Sequence, residues 1–362
     1  MTVLIAGGGT GGHLMPALAI AEALRGRHPD WRIVLAGATR GVEARLLPER
    51  TFPFHLLPFE PIYRREWWKN LKWPWLAVRL IRLVRRLLDQ ERPDLVLGTG
   101  GYASGPIVWA AARRGIPTAM LEQDAFPGLV TRWLASRVRE VYLGAPEAEA
   151  VLRPGPRTRV AFTGSPIVPP SFERRTTART TLGIEPGRPV VVVMGGSQGS
   201  RAINHLIGEW VDHRRPDHLT LLWATGKATF GAFRHFHNPP DLQVVDFLDP
   251  VADAYAVADL VVCRAGMMTI AELAAWRLPS VLIPLPTAAA DHQTKNATAM
   301  AAAGAAVMLP QEGLDAATLG RTITDLLADR ARLSRLAEAA GRRGRPGAVT
   351  EIAASLERLL QA

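Results

Sequence analysis

The stretch DLVVCRAGMMTIAELAAWRLPSVLIPLPTAAADHQTKN, from Asp259 to Asn296, decides the fold. Asp259 to Cys263 is mainly apolar and reads as a buried strand, and Arg264 to Met268 is a short turn around Gly266. The spacing predicts a helix from about Thr269, ended by Pro279 before a second apolar run, Val281 to Leu285. Strand, loop, helix and strand within about 30 residues make one crossover of a parallel sheet. Ligands of such sheets bind beyond the carboxyl ends of the strands, so the Arg264–Met268 loop and the polar Asp291, His292 and Gln293 are expected to line one crevice. Glu272 stands three residues after Thr269 and has two readings. Its carboxylate closes the first helical turn as a capping box, or it takes the vicinal hydroxyls of a ribose. Spacing alone favours the cap. Asp291 reads as an N-cap, which places His292 and Gln293 in a first turn whose N–H groups face an anion. Taken singly, His292 is an ordinary surface residue.

With 362 residues the chain exceeds one hydrophobic core, and two domains are expected. A hydrophobic share of 48% and a mean hydropathy of +0.06 mark a well-cored globular protein and exclude a disordered one. The 43 Lys and Arg against 33 Asp and Glu leave +10, which favours nucleic acid, acidic lipid or phosphorylated substrates. The single cysteine, Cys263, excludes an internal disulfide and a cysteine-rich metal site. The chain enters a strand at once without a charged leader, and no apolar run approaches about 18 residues, so neither a secretory signal nor a spanning helix is expected.

Residues 1–162 read as a first domain. Thr2 to Ala6 is a strand running into GGGTGGH, Gly7 to His13, with a helix from about Pro16 to Arg25. Gly7, Gly9 and Gly12 satisfy G-x-G-x-x-G in a strand-to-helix setting, where glycine permits close backbone approach and the helix start favours negative charge. A nicotinamide site would carry an acidic residue about 20 positions on. The second strand, Arg32 to Ala36, ends instead in Gly37, Ala38, Thr39 and Arg40. His13 has a side chain suited to general base work near neutrality, or it merely braces the loop. GTGGYASGP, Gly98 to Pro106, is expected as a second turn after the strand Leu95 to Leu97, and EQDAFPG, Glu122 to Gly128, as a third after Thr118 to Leu121. The three loops converge on one sheet edge.

Between Glu60 and Arg92, Trp67, Trp68, Trp73 and Trp75 lie among Arg64, Arg65, Lys69 and Lys72, ahead of a helix with Leu76, Leu80, Ile81, Leu83, Val84 and Leu87 on one side and Arg79, Arg82 and Arg86 on the other. The helix reads as core-packed, and the Trp-rich loop as a contact with an anionic membrane surface. No standard nucleic-acid module is present. Arg153 to Arg188, with TGSPIVPP from Thr163 to Pro170, reads as hinge and linker. The plan then recurs: strand Pro189 to Met194, GGSQGSR from Gly195 to Arg201, and a helix. This loop lacks the ending of a P-loop, yet Ser197 and its amides suit a diphosphate. Strand Leu219 to Ala224 and the segment Val244 to Leu248 follow, and after Gly304 helices run to the end with a break around Gly341 to Gly347.

GGGTGGH, GTGGYASGP, GGSQGSR, CRAGMMTIAE and DHQTKNA, in this order and spacing, resemble the MurG family of UDP-N-acetylglucosamine:lipid-linked muramyl-peptide N-acetylglucosaminyltransferases across essentially the whole chain. The resemblance implies an α/β GT-B architecture, two Rossmann-like domains with parallel sheets facing across a cleft. Its parts would be residues 1–162 for the acceptor and membrane, 163–340 for the UDP-sugar, and 341–362 as a helix crossing back to the first domain. By matching position, Thr10, Gly11 and Gly12 would face the donor sugar and diphosphate, and His13 would be the base or a positioning group. Ser197 would meet the diphosphate and Leu248 the uracil. Met267, Met268, Thr269, Ile270 and Ala271 would border diphosphate and ribose, with Glu272 on the ribose hydroxyls and His292 and Gln293 at the donor sugar. The resemblance thus reverses the reading of Glu272.

Two positions depart from the family pattern. Asp124 stands where the family usually has Asn, which offers a second candidate base, and Val168 stands where an arginine meets the donor, so that either Arg264 or Arg201 replaces the charge or donor affinity is lower. The implied reaction is inverting transfer of N-acetylglucosamine to O4 of the muramyl sugar of undecaprenyl-diphosphate-linked muramyl-pentapeptide, at the cytoplasmic face of the plasma membrane. No Asp-x-Asp motif occurs, so no metal or other cofactor is expected to be required, with room for a loosely bound divalent cation. A UDP-sugar 2-epimerase, a transferase acting on another lipid and a non-catalytic UDP-sugar-binding protein share these motifs.

Overall fold

The computed structural model describes residues 1–9, 11–59, 73–196, 198–214 and 218–361, with backbone alone at 73–75, 77 and 214. The chain divides into two compact units, Met1–Ile167 with Gly347–Ala362, and Val168–Pro346. The first unit is built from β1 (Thr2–Ala6), α1 (Gly11–Arg27), β2 (Arg32–Ala38), α2 (Glu43–Leu46), β3 (Phe54–Leu57), α3 (Trp73–Glu91), β4 (Leu95–Gly98), α4 (Gly101–Arg113), β5 (Thr118–Glu122), α5 (Leu129–Leu134), β6 (Glu140–Leu143) and β7 (Arg159–Phe162). Its seven strands are all parallel, in the order β3-β2-β1-β4-β5-β6-β7, with Val3 opposite Ile33 on one side and Leu95 on the other.

The second unit holds α6 (Arg174–Thr181), β8 (Val190–Met194), α7 (Arg201–Arg214), β9 (Thr220–Ala224), α8 (Phe230–Phe233), β10 (Leu242–Val245), α9 (Val251–Val257), β11 (Leu260–Cys263), α10 (Met267–Ala275), β12 (Ser280–Leu282), α11 (His292–Ala302), β13 (Val307–Met308), α12 (Ala316–Ala328) and α13 (Arg330–Arg343). Its six-stranded parallel sheet has the order β10-β9-β8-β11-β12-β13. Each order reverses once, between β1 and β4 and between β8 and β11, and loops at such a reversal splay apart to leave a crevice. Valines 190 to 193 are all buried, as befits a strand covered on both faces.

The first core lies on both faces of its sheet: Leu14, Leu18 and Ile20 of α1 on one, Leu80, Val84, Ile107 and Val108 of α3 and α4 on the other. The last helix, α14 (Ala348–Gln361), packs on the α1 side with Ile352, Ala353 and Leu356 fully buried. Each large side chain so buried contributes about 1.5–3 kcal/mol. Glu357 fixes the helix direction, accepting from Arg27 Nε at 2.6 Å and Nη2 at 2.8 Å, with His28 Nε2 at 2.8 Å.

Two expectations are corrected. Gly98–Pro106 is not a nine-residue turn, because α4 begins at Gly101 and the loop proper is Thr99 and Gly100. Small residues there let the helix approach: Ala103, Ser104 and Gly105 are buried, and a Cβ on Gly105 would come within 3.0 Å of Val130. Arg153–Arg188 is not simply a linker, since it contains β7 and α6. Of its arginines, Arg174 pairs with Asp253 at 2.7 Å and Arg175 with Asp259 at 3.1 Å within the second unit, while Arg159 reaches Glu140 in the first at 3.4 Å.

Candidate active site

At the reversal of the first sheet, three chain segments meet around His13. Gly7 N–H donates to Ala36 O at 3.0 Å, and Gly9 has φ of 91°, which turns the chain into α1. Pro16 lies inside that helix and has no N–H for the carbonyl of Gly12, four residues earlier. Gln123 Nε2 takes that carbonyl at 2.8 Å and faces His13 Nδ1 at 3.4 Å. Thr99 Oγ1 donates to His13 O at 2.9 Å. Gly100, at φ 102°, leaves room for the imidazole, since a Cβ there would sit 2.5 Å from Nδ1. Tyr102 packs against Gly9, Gly11 and His13 are half-buried, and Gly12 is exposed. Thr10 lies outside the described residues.

Asp124, half-buried, follows Gln123. Beneath it the Glu122 carboxylate accepts from Asp124 N at 3.2 Å and Gly128 N at 2.9 Å. Burial pushes the Glu122 carboxyl up to about 7, the charge of Asp124 adding to it and the Thr131 hydroxyl and the two N–H groups opposing. A carboxyl held above its unfolded value of about 4.5 stabilises the fold fully below that value, and the contribution is lost as pH rises through about 7. Glu122→Gln, which resembles the neutral acid, is therefore expected to match the wild type near pH 5 and to exceed it at pH 8 by on the order of 1–3 kcal/mol in thermal unfolding.

The second unit assembles its site at the reversal of its own sheet, between β8 and β11. Gly266 is the N-cap of α10 without a side-chain capping bond, and the first intrahelical bond returns from Ile270 N to Gly266 O at 3.0 Å. The N–H groups of the first turn have no partner within the helix, and beyond β8, the strand paired with β11, Gly196 and Gly199 take φ of 81° and 73°. Met268, Thr269 and Ala271 are half-buried, whereas the side chains of Met267 and Ile270 lie in the core, 8% and 3% exposed. Ser197 lies outside the described residues.

The capping-box reading of Glu272 is overturned. The helix starts at Met267, so Thr269 and Glu272 are both interior, and Glu272 Oε2 accepts from the Tyr255 hydroxyl of α9 at 2.8 Å. Burial raises the Glu272 carboxyl, with the Tyr255 bond opposing, and pushes the adjacent Cys263 thiol up to about 12. Asp291 is the N-cap of α11 in position only, in a left-handed conformation with no side-chain capping bond. His292 turns Nδ1 to Ala289 O at 2.7 Å, and Gln293 Oε1 accepts from Leu285 N at 3.0 Å. Leu248 is half-buried after β10, and Val168 is 81% exposed.

Arg264 does not stand in for the arginine absent at Val168. Its Nη1 donates to Ile283 O and Pro284 O at 3.0 Å each, and its Nη2 to Ser200 Oγ at 2.8 Å and Gln311 Oε1 at 2.6 Å. The fork clips four loop ends together with the side chain 8% exposed. Arg201 is exposed at the start of α7. Sequence reasoning also missed Tyr255, the buried Asn296, which ties α11 to Ala265 O at 3.3 Å, and Glu43 under the first glycine loop. Among the described residues no three His, Cys, Asp or Glu side chains gather as a metal-holding group.

Residues 3–143 match the glycosyltransferase family 28 N-terminal domain and residues 190–352 its C-terminal domain. A UDP-N-acetylglucosamine–N-acetylmuramyl-(pentapeptide) pyrophosphoryl-undecaprenol N-acetylglucosamine transferase of Syntrophotalea carbinolica is 40% identical over 97% of this chain and 97% of its own length. One of the same name from Acetivibrio thermocellus is 38% identical over 93% of this chain and 92% of its own. The crystal structure of Acinetobacter baumannii MurG superposes with a TM-score of 0.78 at 27% identity, covering 99% of both chains. Doubly wound sheets with matched reversals and family matches over both units place this chain in glycosyltransferase family 28, as a member of the MurG family of N-acetylglucosamine transferases.

Proposed function

We propose that this chain transfers N-acetylglucosamine from UDP-N-acetylglucosamine to O4 of the muramyl sugar of the undecaprenyl-diphosphate-linked muramyl-pentapeptide, the step that makes the disaccharide lipid of peptidoglycan. The observation that carries this reading is identity of 36–40% over nearly the whole chain to transferases of that one name. The acceptor hydroxyl attacks the anomeric carbon, its proton passes to a base, and UDP leaves from the opposite face, so an α-linked donor gives a β-linked product. Glu272 takes the ribose hydroxyls, Leu248 offers backbone to the uracil, and His292 and Gln293 meet the sugar. Ser197 and the amides of Met267, Met268 and Thr269 receive the diphosphate. In the first unit Thr10, Gly11, Gly12, His13 and Asp124 serve the reacting groups. Because amides and a helix start answer the leaving charge, turnover in excess EDTA is expected within about twofold of that with added magnesium.

The same proposal puts the protein at the inner face of the plasma membrane as a peripheral enzyme. Among the described residues no helix is long and apolar enough to cross a bilayer. Trp67 and Trp68 lie outside the described residues, as do the side chains of Trp73 and Trp75. Support comes from their neighbours: α3 exposes Val78 and Ile81 beside Arg79 and Arg82, and α5 exposes Leu129 and Trp133, with Arg137 5.0 Å over the Trp133 ring. Apolar and aromatic groups among arginines suit anionic headgroups.

The deciding experiment incubates purified protein with UDP-N-acetylglucosamine and the lipid-linked muramyl-pentapeptide and identifies the product by mass. A disaccharide lipid with release of UDP is the expected result. Consumption of donor without acceptor, giving the 2-epimer, would mark an epimerase, and UDP binding with no turnover a binding protein.

A further inference from the structure

Glu43 is fully buried, and its hydrogen bonds come from backbone alone. Oε1 accepts from Gly9 N and from Ala38 N, each at 2.8 Å, and Oε2 lies 3.0 Å from Gly9 N. Among the described residues no Lys, Arg or His pairs with it. The surrounding backbone is cut to admit it: a Cβ at Gly8 would lie 2.1 Å from Oε1, one at Gly41 2.1 Å from Oε2, and one at Gly37 2.6 Å from Cγ. A buried carboxylate without a cation is costly unless oriented N–H groups receive it.

In a dinucleotide site the amides of this glycine loop face a pyrophosphate, and an acidic residue at the end of the second strand faces the ribose. Here the carboxylate that β2 lacks arrives from the next helix, bonds the last residue of β2, and turns inward to the loop. The Gly9 amide is spent on it, and the carboxyl oxygens stand where phosphate oxygens would lie. We propose that Glu43 is a resident anion of the first glycine loop, a positioning residue that closes this loop to nucleotide phosphate and sets the start of α1 so that His13 is held for reaction. The last clause rests on the reading of His13 under the proposed function. Glu43 holds the loop from one side while Gln123 and Thr99 hold Gly12 and His13 from the other.

Full-length Glu43→Ala and Glu43→Gln test this with three readouts: hydrogen exchange of the peptide spanning Gly7–Gly12, turnover of donor and lipid acceptor, and calorimetric affinity for UDP. For Glu43→Ala, exchange of the Gly9 amide is expected to quicken at least about tenfold. Its kcat is expected to fall at least about tenfold while the Kd for UDP stays within about twofold. Glu43→Gln keeps one acceptor oxygen, falls between wild type and alanine on both measures, and carries the test alone if the alanine variant does not fold. Unchanged exchange, unchanged kcat beside a lowered melting temperature, or a UDP Kd rising in step with the loss of kcat each overturns the proposal. Should the wild type turn over no lipid acceptor, the functional reading fails on its own, and the exchange comparison still decides whether Glu43 closes the loop.

Discussion

Replacing His13 by alanine lowers kcat by about 10²–10⁴ while leaving the affinity for UDP within about threefold, because the group lost acts on the acceptor's proton and not on the nucleotide. The expectation follows from how the imidazole is held. Gln123 pins one edge of the ring, Gly100 gives it room, and Thr99 anchors its carbonyl, so the ring is placed by contacts from the residues that follow β4 and β5. Nε2 is the nitrogen turned away from Gln123. To act as base it must be unprotonated, with the hydrogen on Nδ1, whereas the Gln123 amide nitrogen now faces Nδ1. The acceptor must therefore turn that amide, or His13 donates from Nε2 and another group takes the proton. Asp124→Asn separates the two. Asn takes no proton, so if His13 is the base this variant is expected to keep kcat within about tenfold. A loss for Asp124→Asn as large as for His13→Ala would move the base to Asp124 and leave His13 as its donor.

The parts of the site written in local patterns were legible. Glycines at 7, 9 and 12 announce a strand-to-helix turn since only that residue tolerates the φ at Gly9 and the approach of Tyr102. The valine run at 190–193 announces a covered parallel strand. What failed depended on distant partners. Thr269 and Glu272 have the spacing of a capping box, yet Gly266 serves as N-cap three residues earlier, and a tyrosine seventeen positions before Glu272 claims its carboxylate. Arg264 looked like a cation free for phosphate because carbonyls at Ile283 and Pro284 leave no mark in sequence. Glu43 escaped notice for the same reason, being four residues from Thr39 in sequence but under Gly9 in space. Pro16 carried a readable signal that was missed: a proline in the second turn of a helix frees the carbonyl four residues back, and some donor must come to it.

For Glu272→Ala the expected loss is in binding: KM for UDP-N-acetylglucosamine and Kd for UDP rise together by about 10- to 150-fold, with a smaller change in kcat. The magnitude is that of a hydrogen bond to a charged acceptor, about 1.5–3 kcal/mol, at a site where burial already disfavours the ionised carboxyl. Tyr255 matters to the argument, because its hydroxyl donates to Oε2 and leaves Oε1 as the oxygen open to a sugar hydroxyl. Glu272→Gln presents one acceptor and turns an NH₂ toward Tyr255 or the ribose, so it should lose nearly as much as alanine. A structural role would lower the melting temperature without altering which nucleotide is preferred. Comparing UDP with 2′-deoxy-UDP isolates the contact: the wild type is expected to prefer UDP by about tenfold or more, and Glu272→Ala to bind the two alike. If the alanine variant still discriminates, the ribose lies elsewhere in the second unit. Its carboxylate would then be a buried partner for Tyr255 and nothing more.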